Sequence, residues 1–349
     1  MKKNLMLDIN IFWLFLIIIY FGSVVLVAAF GNTLTGMFLC TAGIWLFFFC
    51  FYKEKRRIVP FALAGSLVTL LIIWKLPSDY QGSFLMKEII MMAVWGFCER
   101  ESKSQIDWIS YCKIKEITIR QWIGIPALTI LFFWIAGYVN AWSVIIFHNN
   151  VADSLEEAIR YLPGSLVVLA IVPALMEEYI YRGVIYRSIR QKRQAILLSA
   201  FLFAMMHLNF NQMSYAFVMG ILFAVLVDKT DNLSVAIMVH MLFNVFNILM
   251  PILERNTFLK VILEIHIKSY DLFSPWIIYG SGNISWENVF IGFAVVLAAL
   301  LLIGGILHLV KAPPLERYEE TGHWKPNGYF YFGCAVCLLM AFFSELLHK

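Results

Sequence analysis

Long apolar blocks separated by short polar stretches make up most of this chain. Ten blocks predict helices: Ile11–Phe30, Leu34–Tyr52, Ile58–Leu76, Trp122–Phe147, Tyr161–Ile185, Ala195–His207, Ser214–Val227, Leu233–Leu253, Asn288–Val310 and Gly328–Leu347. Roughly 20 apolar residues cross a bilayer, and most of these blocks approach or exceed that length. A shorter block, Phe84–Phe97, is interrupted by Lys87 and Glu88 and reads as a poor span or a re-entrant element. The basic residues arbitrate. If Phe84–Phe97 spans, one orientation gathers Lys2-Lys3, Lys53/Lys55/Arg56/Arg57, Arg100/Lys103/Lys113/Lys115/Arg120, Arg187/Arg190/Lys192/Arg193, Lys229 and Lys311/Arg317/Lys325 on one side. Cytoplasmic loops are enriched in Lys and Arg. The expectation is an all-α polytopic membrane helix bundle of about eleven transmembrane helices, N-terminus cytoplasmic and C-terminus outside.

Three parts follow: N-terminal helices over 1–121, a helix bundle over 122–253, and a loop with two C-terminal helices over 254–349. Composition agrees with a membrane protein, since 61% of the 349 residues are hydrophobic and 14% charged. Soluble domains carry about 25% charged residues. The net charge of +4 is spread over short loops. It sets orientation in the bilayer and implies no nucleic-acid partner. Met1-Lys2-Lys3 before Ile11–Gly31 imitates a signal peptide, but its apolar run exceeds the usual 7–15 residues, so an uncleaved first helix is expected. Cys334 and Cys337 form a CxxC inside an apolar helix with no partner pair, which argues against zinc. In the long loop, Ile262–Ile267 reads as an interfacial piece with His266 on its surface. Asn283-Ile284-Ser285 is a chance sequon.

The polar residues inside the apolar blocks carry the chemistry. Glu177, Glu178 and Arg182 follow an unbroken apolar run, Leu166–Met176. Ionisable groups at membrane depth are costly and persist where they function or pair. Glu178 and Arg182 are four apart and share a helix face, so they neutralise each other. Glu177 lies about 100° round the helix and needs a partner from elsewhere. Three downstream residues answer that need: His207, His240 and Asn244. The last two are four apart and stack on one face. At 1.5 Å per residue, Glu177 lies about 15 Å from the basic edge at Arg187, His207 about 21 Å from Arg193 and His240 about 16 Å from Lys229. Taken singly, either histidine reads equally well as a packing residue, and Asn244 as interhelical glue. Their common depth points to one site.

Glu177-Glu178-xxx-Arg182, Phe203-xxx-His207 and His240-xxx-Asn244, in that order, resemble the three motifs of the CPBP (Abi) family. These are intramembrane endopeptidases related to the type II CAAX prenyl endopeptidase. Gly183, His207-Leu208-Asn209-Phe210 and Lys229-Thr230-Asp231-Asn232-Leu233 resemble the family's usual flanks, so the resemblance covers about 161–249. A glutamate in a low-dielectric bundle suits a general base, and the two donors His240 and Asn244 suit an oxyanion hole. The resemblance implies the same assignment: Glu177 and His207 activate water, His240 and Asn244 stabilise the oxyanion, and Glu178 and Arg182 stand behind them. No metal is favoured. Zinc on Glu177, His207 and His240 is the competing picture. No HExxH, rhomboid-type serine pattern or GxGD pair occurs. The implied function is hydrolysis of a peptide bond in a membrane-associated peptide or protein, at a site open to the cytoplasm, in what looks like a bacterial plasma membrane. The alternatives are a non-catalytic scaffold, regulator or bacteriocin-immunity protein of the same fold, and a proton-relay transporter.

Overall fold

The computed structural model describes residues 7–30, 78–102, 108–149, 162–255, 286–311 and 324–347, and all regular structure among them is helical. The helices are α1 (Ile9–Phe30), α2 (Ser78–Glu101), α3 (Trp108–Cys112), α4 (Ile119–Ser143), α5 (Leu162–Ser188), α6 (Lys192–Met205), α7 (Phe210–Thr230), α8 (Leu233–Arg255), α9 (Trp286–Val310) and α10 (Gly328–Leu347). Seven of these, α1, α4, α5 and α7 to α10, are long and apolar enough to cross a membrane. Large apolar side chains stand exposed along α9 and α10, among them Phe290, Phe293, Leu301, Phe332 and Phe342. A continuous apolar surface of that kind is stable only against lipid or another protein. The chain is an integral membrane protein.

Two of the remaining elements bear on the expected spans. α6 has 14 residues, about 21 Å of helix, which falls short of a 30 Å hydrocarbon core. α2 runs unbroken through Lys87 and Glu88, and Lys87 Nζ donates to Ser83 Oγ one turn back at 2.8 Å. The sequence blocks Leu34–Tyr52 and Ile58–Leu76, the piece Ile262–Ile267 with His266, and Asn283-Ile284-Ser285 lie outside the described residues. Cys334 and Cys337 are buried on α10 and form no disulfide with each other.

The chain divides into two compact units. The first comprises Met1–Ile106, Tyr161–Met176 and Pro326–Gly333. Within it α1 packs on α2 through Phe12 and Phe15 against Phe97, with ring centroids 5.5 and 4.6 Å apart. The second comprises Asp107–Arg160, Glu177–Lys325 and Cys334–Lys349, and it holds every candidate site residue named above.

Caps and close contacts fix the helices of the second unit. Thr118 and Gln121 form a reciprocal capping box that starts α4. Asn232 Oδ1 accepts from the Ser234 N–H at the start of α8, and its amide donates to the Glu116 carbonyl, tying the α7–α8 turn to the segment before α4. α6 and α7 approach closely at Gly220, where an added Cβ would lie 2.7 Å from Ala200 Cα and 2.8 Å from its Cβ. Small residues let membrane helices approach in this way. The obstructing Cα belongs to the backbone, so Gly220→Ala must push the helices apart. The expected cost is about 1–3 kcal/mol, read as a lowered melting temperature in detergent.

Cys112 at the end of α3 packs its Sγ where a Cβ on Gly183 would meet it at 2.9 Å. Burial pushes its thiol up to about 12, against a smaller opposing pull from Arg187. The thiolate is the reactive form. Iodoacetamide at pH 8 is therefore expected to leave Cys112 unmodified in the folded protein and to label it after denaturation, as read by peptide mass spectrometry.

Candidate active site

The site is built on α5, which is not a regular α-helix. Over Leu166–Ile171 and Glu178–Ile185 it widens to π-helical turns, closed by bonds from the Val172 N–H to the Val167 carbonyl and from the Tyr186 N–H to the Tyr181 carbonyl. Such i→i+5 turns are rare and concentrate at functional sites. The second of them begins between the two glutamates.

The ion pair expected from the four-residue spacing forms in full burial. Arg182 Nη1 donates to Glu178 Oε1 at 2.9 Å, and both side chains are inaccessible. Arg182 Nη2 donates to the Gly220 carbonyl at 3.2 Å, so α7 shares in holding the guanidinium. Its Cζ lies over the rings of Phe203 and Phe223, 4.4 and 5.2 Å from their centroids. A planar, weakly hydrated cation suits such a slot, and a lysine would not fill it.

His240 comes from α8 to the same carboxylate. Its Nδ1 donates to Glu178 Oε1 at 2.9 Å, because an ionised carboxylate only accepts. The ring stacks on Phe223 at 4.8 Å and meets the edge of Phe203 at 6.0 Å. This leaves Nε2 facing Glu177, 3.7 Å from Oε2. That gap is too long for a direct hydrogen bond. The two glutamates thus address the two nitrogens of one imidazole. Their exposures differ sharply: the Glu178 side chain is 0% exposed and that of Glu177 21%. Glu177 is the carboxylate a water or substrate can reach.

His207 was expected inside a helix. Instead α6 ends at Met205, and His207 sits in the turn that follows, its N–H on the Ala204 carbonyl at 3.0 Å. Leu208 then takes a left-handed φ of 52°, and Asn209 caps α7 by accepting from the Gln212 N–H. Phe203 holds the imidazole twice. Its carbonyl accepts from His207 Nδ1 at 2.9 Å, and its ring stands perpendicular to the imidazole at 4.9 Å. A carbonyl only accepts, so Nδ1 carries a proton and Nε2 of the neutral ring offers its lone pair. Asn244 stands one turn beyond His240 on α8 and is half-buried.

Sequence reasoning took Phe203 only as the first residue of the Phe203-xxx-His207 motif, whereas its ring packs against both histidines and Arg182. It missed Gly220 and Phe223. A lone glycine in an apolar span signals close packing. Phe223, in Leu222-Phe223-Ala224, carries no such signal. Among the described residues no group of three or more His, Cys, Asp and Glu side chains has metal-binding geometry.

Residues 160–246 match the family model described as type II CAAX prenyl endopeptidase Rce1-like. That segment is about a quarter of the chain. It contains every motif residue from Glu177 to Asn244, and the resemblance to CPBP membrane peptidases drawn from those motifs is borne out. Two curated relatives agree. The chain is 27% identical over 146 residues to the putative membrane peptidase YdiL of Bacillus subtilis, and 29% identical over 139 residues to the membrane-embedded CAAX protease MroQ of Staphylococcus aureus. Each match covers 36% of this chain and spans little more than half of the relative, 58% and 56%. No solved structure matches the chain significantly. Both relatives are bacterial, in line with the membrane expected from the sequence.

Proposed function

We propose that the chain is an intramembrane endopeptidase that hydrolyses a peptide bond in a membrane-associated protein or peptide. The observation that carries this reading is the placement of His240 between a buried, arginine-locked Glu178 and the accessible Glu177. Glu177 is the general base for water, and His207 accepts from that water at Nε2. His240 and the Asn244 amide stabilise the oxyanion. Donation from His240 Nε2 requires the imidazolium form, for which Glu178 is the counter-charge. Glu178 and Arg182 hold His240 without touching substrate. We include a metal-free mechanism and eleven spans with the site open to the cytoplasm, the latter supported by the one-sided distribution of basic residues.

Digestion of a peptide library by purified protein, with and without a chelator, tests the proposal. Cleavage products are expected in both conditions. Asn244→Ala is expected to lower kcat by about 10²–10³, the usual effect of losing one oxyanion donor. Loss of all cleavage on chelation would remove the metal-free mechanism, and an Asn244→Ala enzyme with undiminished kcat would remove the oxyanion assignment.

A further inference from the structure

At the end of α5, the short helix α3, the segment before α4 and the α7–α8 turn form a basic corner. Lys115 Nζ lies 2.7 Å, Arg187 Nη1 3.5 Å and Lys113 Nζ 3.8 Å from the single carboxylate of Asp231. The other nearby aspartate, Asp228, is engaged by Lys192 and by the Tyr186 hydroxyl. The Glu116 side chain is exposed, while its backbone carbonyl is the group that Asn232 binds. Arg187 is the unusual member. Its side chain is only 9% exposed, and its ion pair with Asp231 is longer than a hydrogen bond. Its buried Nε and Nη2 have no hydrogen-bond partner among the described residues. Buried guanidinium donors without acceptors are costly, and an anion with several oxygens would satisfy them.

The surroundings say what kind of anion. Ile109 on α3 and Ile114 beside the lysines are exposed, and so are Ile119, Trp122 and Ile123 at the start of α4. Apolar and cationic side chains therefore alternate along one stretch, Ile109 to Ile123, at the ends of membrane-spanning helices. Amphipathic anions meet such a surface at the headgroup layer, where basic clusters between helix ends hold lipid phosphates. Tryptophan favours the same depth.

We propose that Lys113, Lys115 and Arg187 bind the phosphate of an anionic phospholipid, whose acyl chains lie on the exposed isoleucines of α3 and α4. This site is separate from the peptidase chemistry and stands whether or not that reading holds. Native mass spectrometry of the full chain in detergent, titrated with phosphatidylglycerol or phosphatidylcholine, measures it directly. Inorganic phosphate added as competitor forms a third arm. Phosphatidylglycerol is expected to bind in preference to phosphatidylcholine and to resist millimolar phosphate. Lys113→Gln/Lys115→Gln, two partly exposed substitutions compatible with folding, is expected to weaken phosphatidylglycerol about thirtyfold, the loss that two surface cations carry. Arg187→Gln is expected to abolish the preference for phosphatidylglycerol. Should Arg187→Gln fail to fold, the double lysine variant decides. Equal binding of the two lipids, unchanged affinity in the lysine variant, or displacement by free phosphate would each overturn the proposal.

Discussion

Glu177→Gln is expected to reduce peptide cleavage by about 10²–10⁴, the range a positioned general base contributes. The substitution keeps the shape of the side chain and removes its basicity. The fold should be indifferent to it, because Glu177 is partly exposed and its approach to His240, at 3.7 Å, is not a hydrogen bond. Matched circular dichroism spectra and melting curves, beside cleavage rates for the two proteins, separate lost chemistry from lost structure. Wild-type turnover in the variant would end the peptidase reading. Glu178→Gln should behave differently, since that side chain anchors both Arg182 and His240. Its loss is expected to impair folding as well as rate.

The largest effect on stability is expected at Arg182. Arg182→Gln leaves the Glu178 carboxylate fully buried with His240 as its remaining ionisable partner, and breaking a buried pair from one side costs about 3–5 kcal/mol. The Gly220 carbonyl loses its donor, and the slot between Phe203 and Phe223 loses its cation. A melting temperature lowered by more than about 5 °C, or failure to accumulate in the membrane, is expected. Glu178→Gln/Arg182→Gln should be less damaged than Arg182→Gln alone, because the buried carboxylate is removed together with its guanidinium partner. Arg182→Lys should fall between, since a point charge cannot bridge Glu178 and Gly220 while keeping contact with two rings. An Arg182→Gln protein melting like wild type would show that the pair contributes nothing to the fold.

Much of this was legible in the order of residue types. Apolar length located the spans α1, α4, α5 and α7 to α10, and isolated polar residues inside them marked Glu177, Glu178, Arg182, His240 and Asn244. The end of α6 was not legible from hydropathy, because Phe201 to Met206 is apolar up to His207. What stops that helix is the left-handed Leu208 and the cap at Asn209, and an Asn three residues before Gln212 was the available clue. The meeting of Glu177 and Glu178 at one imidazole was hidden for another reason. On a regular helix, neighbours diverge by about 100°, and the wide turn that begins at Glu178 has no signature in the residue types. Nor could hydropathy indicate the service of Phe203 and Phe223 to charged groups, since aromatic side chains are equally at home against lipid.

That wide turn also governs what protein engineering can do with α5. Regularising the helix, by deleting a residue from Glu178–Ile185 or rebuilding it with strong helix formers, would tighten its own hydrogen bonding. It would also swing everything beyond Ile185 to a new azimuth, taking Arg187 from Asp231 and the Tyr186 hydroxyl from Asp228. A stiffer rod and a disconnected corner would arrive together, so stabilising work on this protein belongs in other helices.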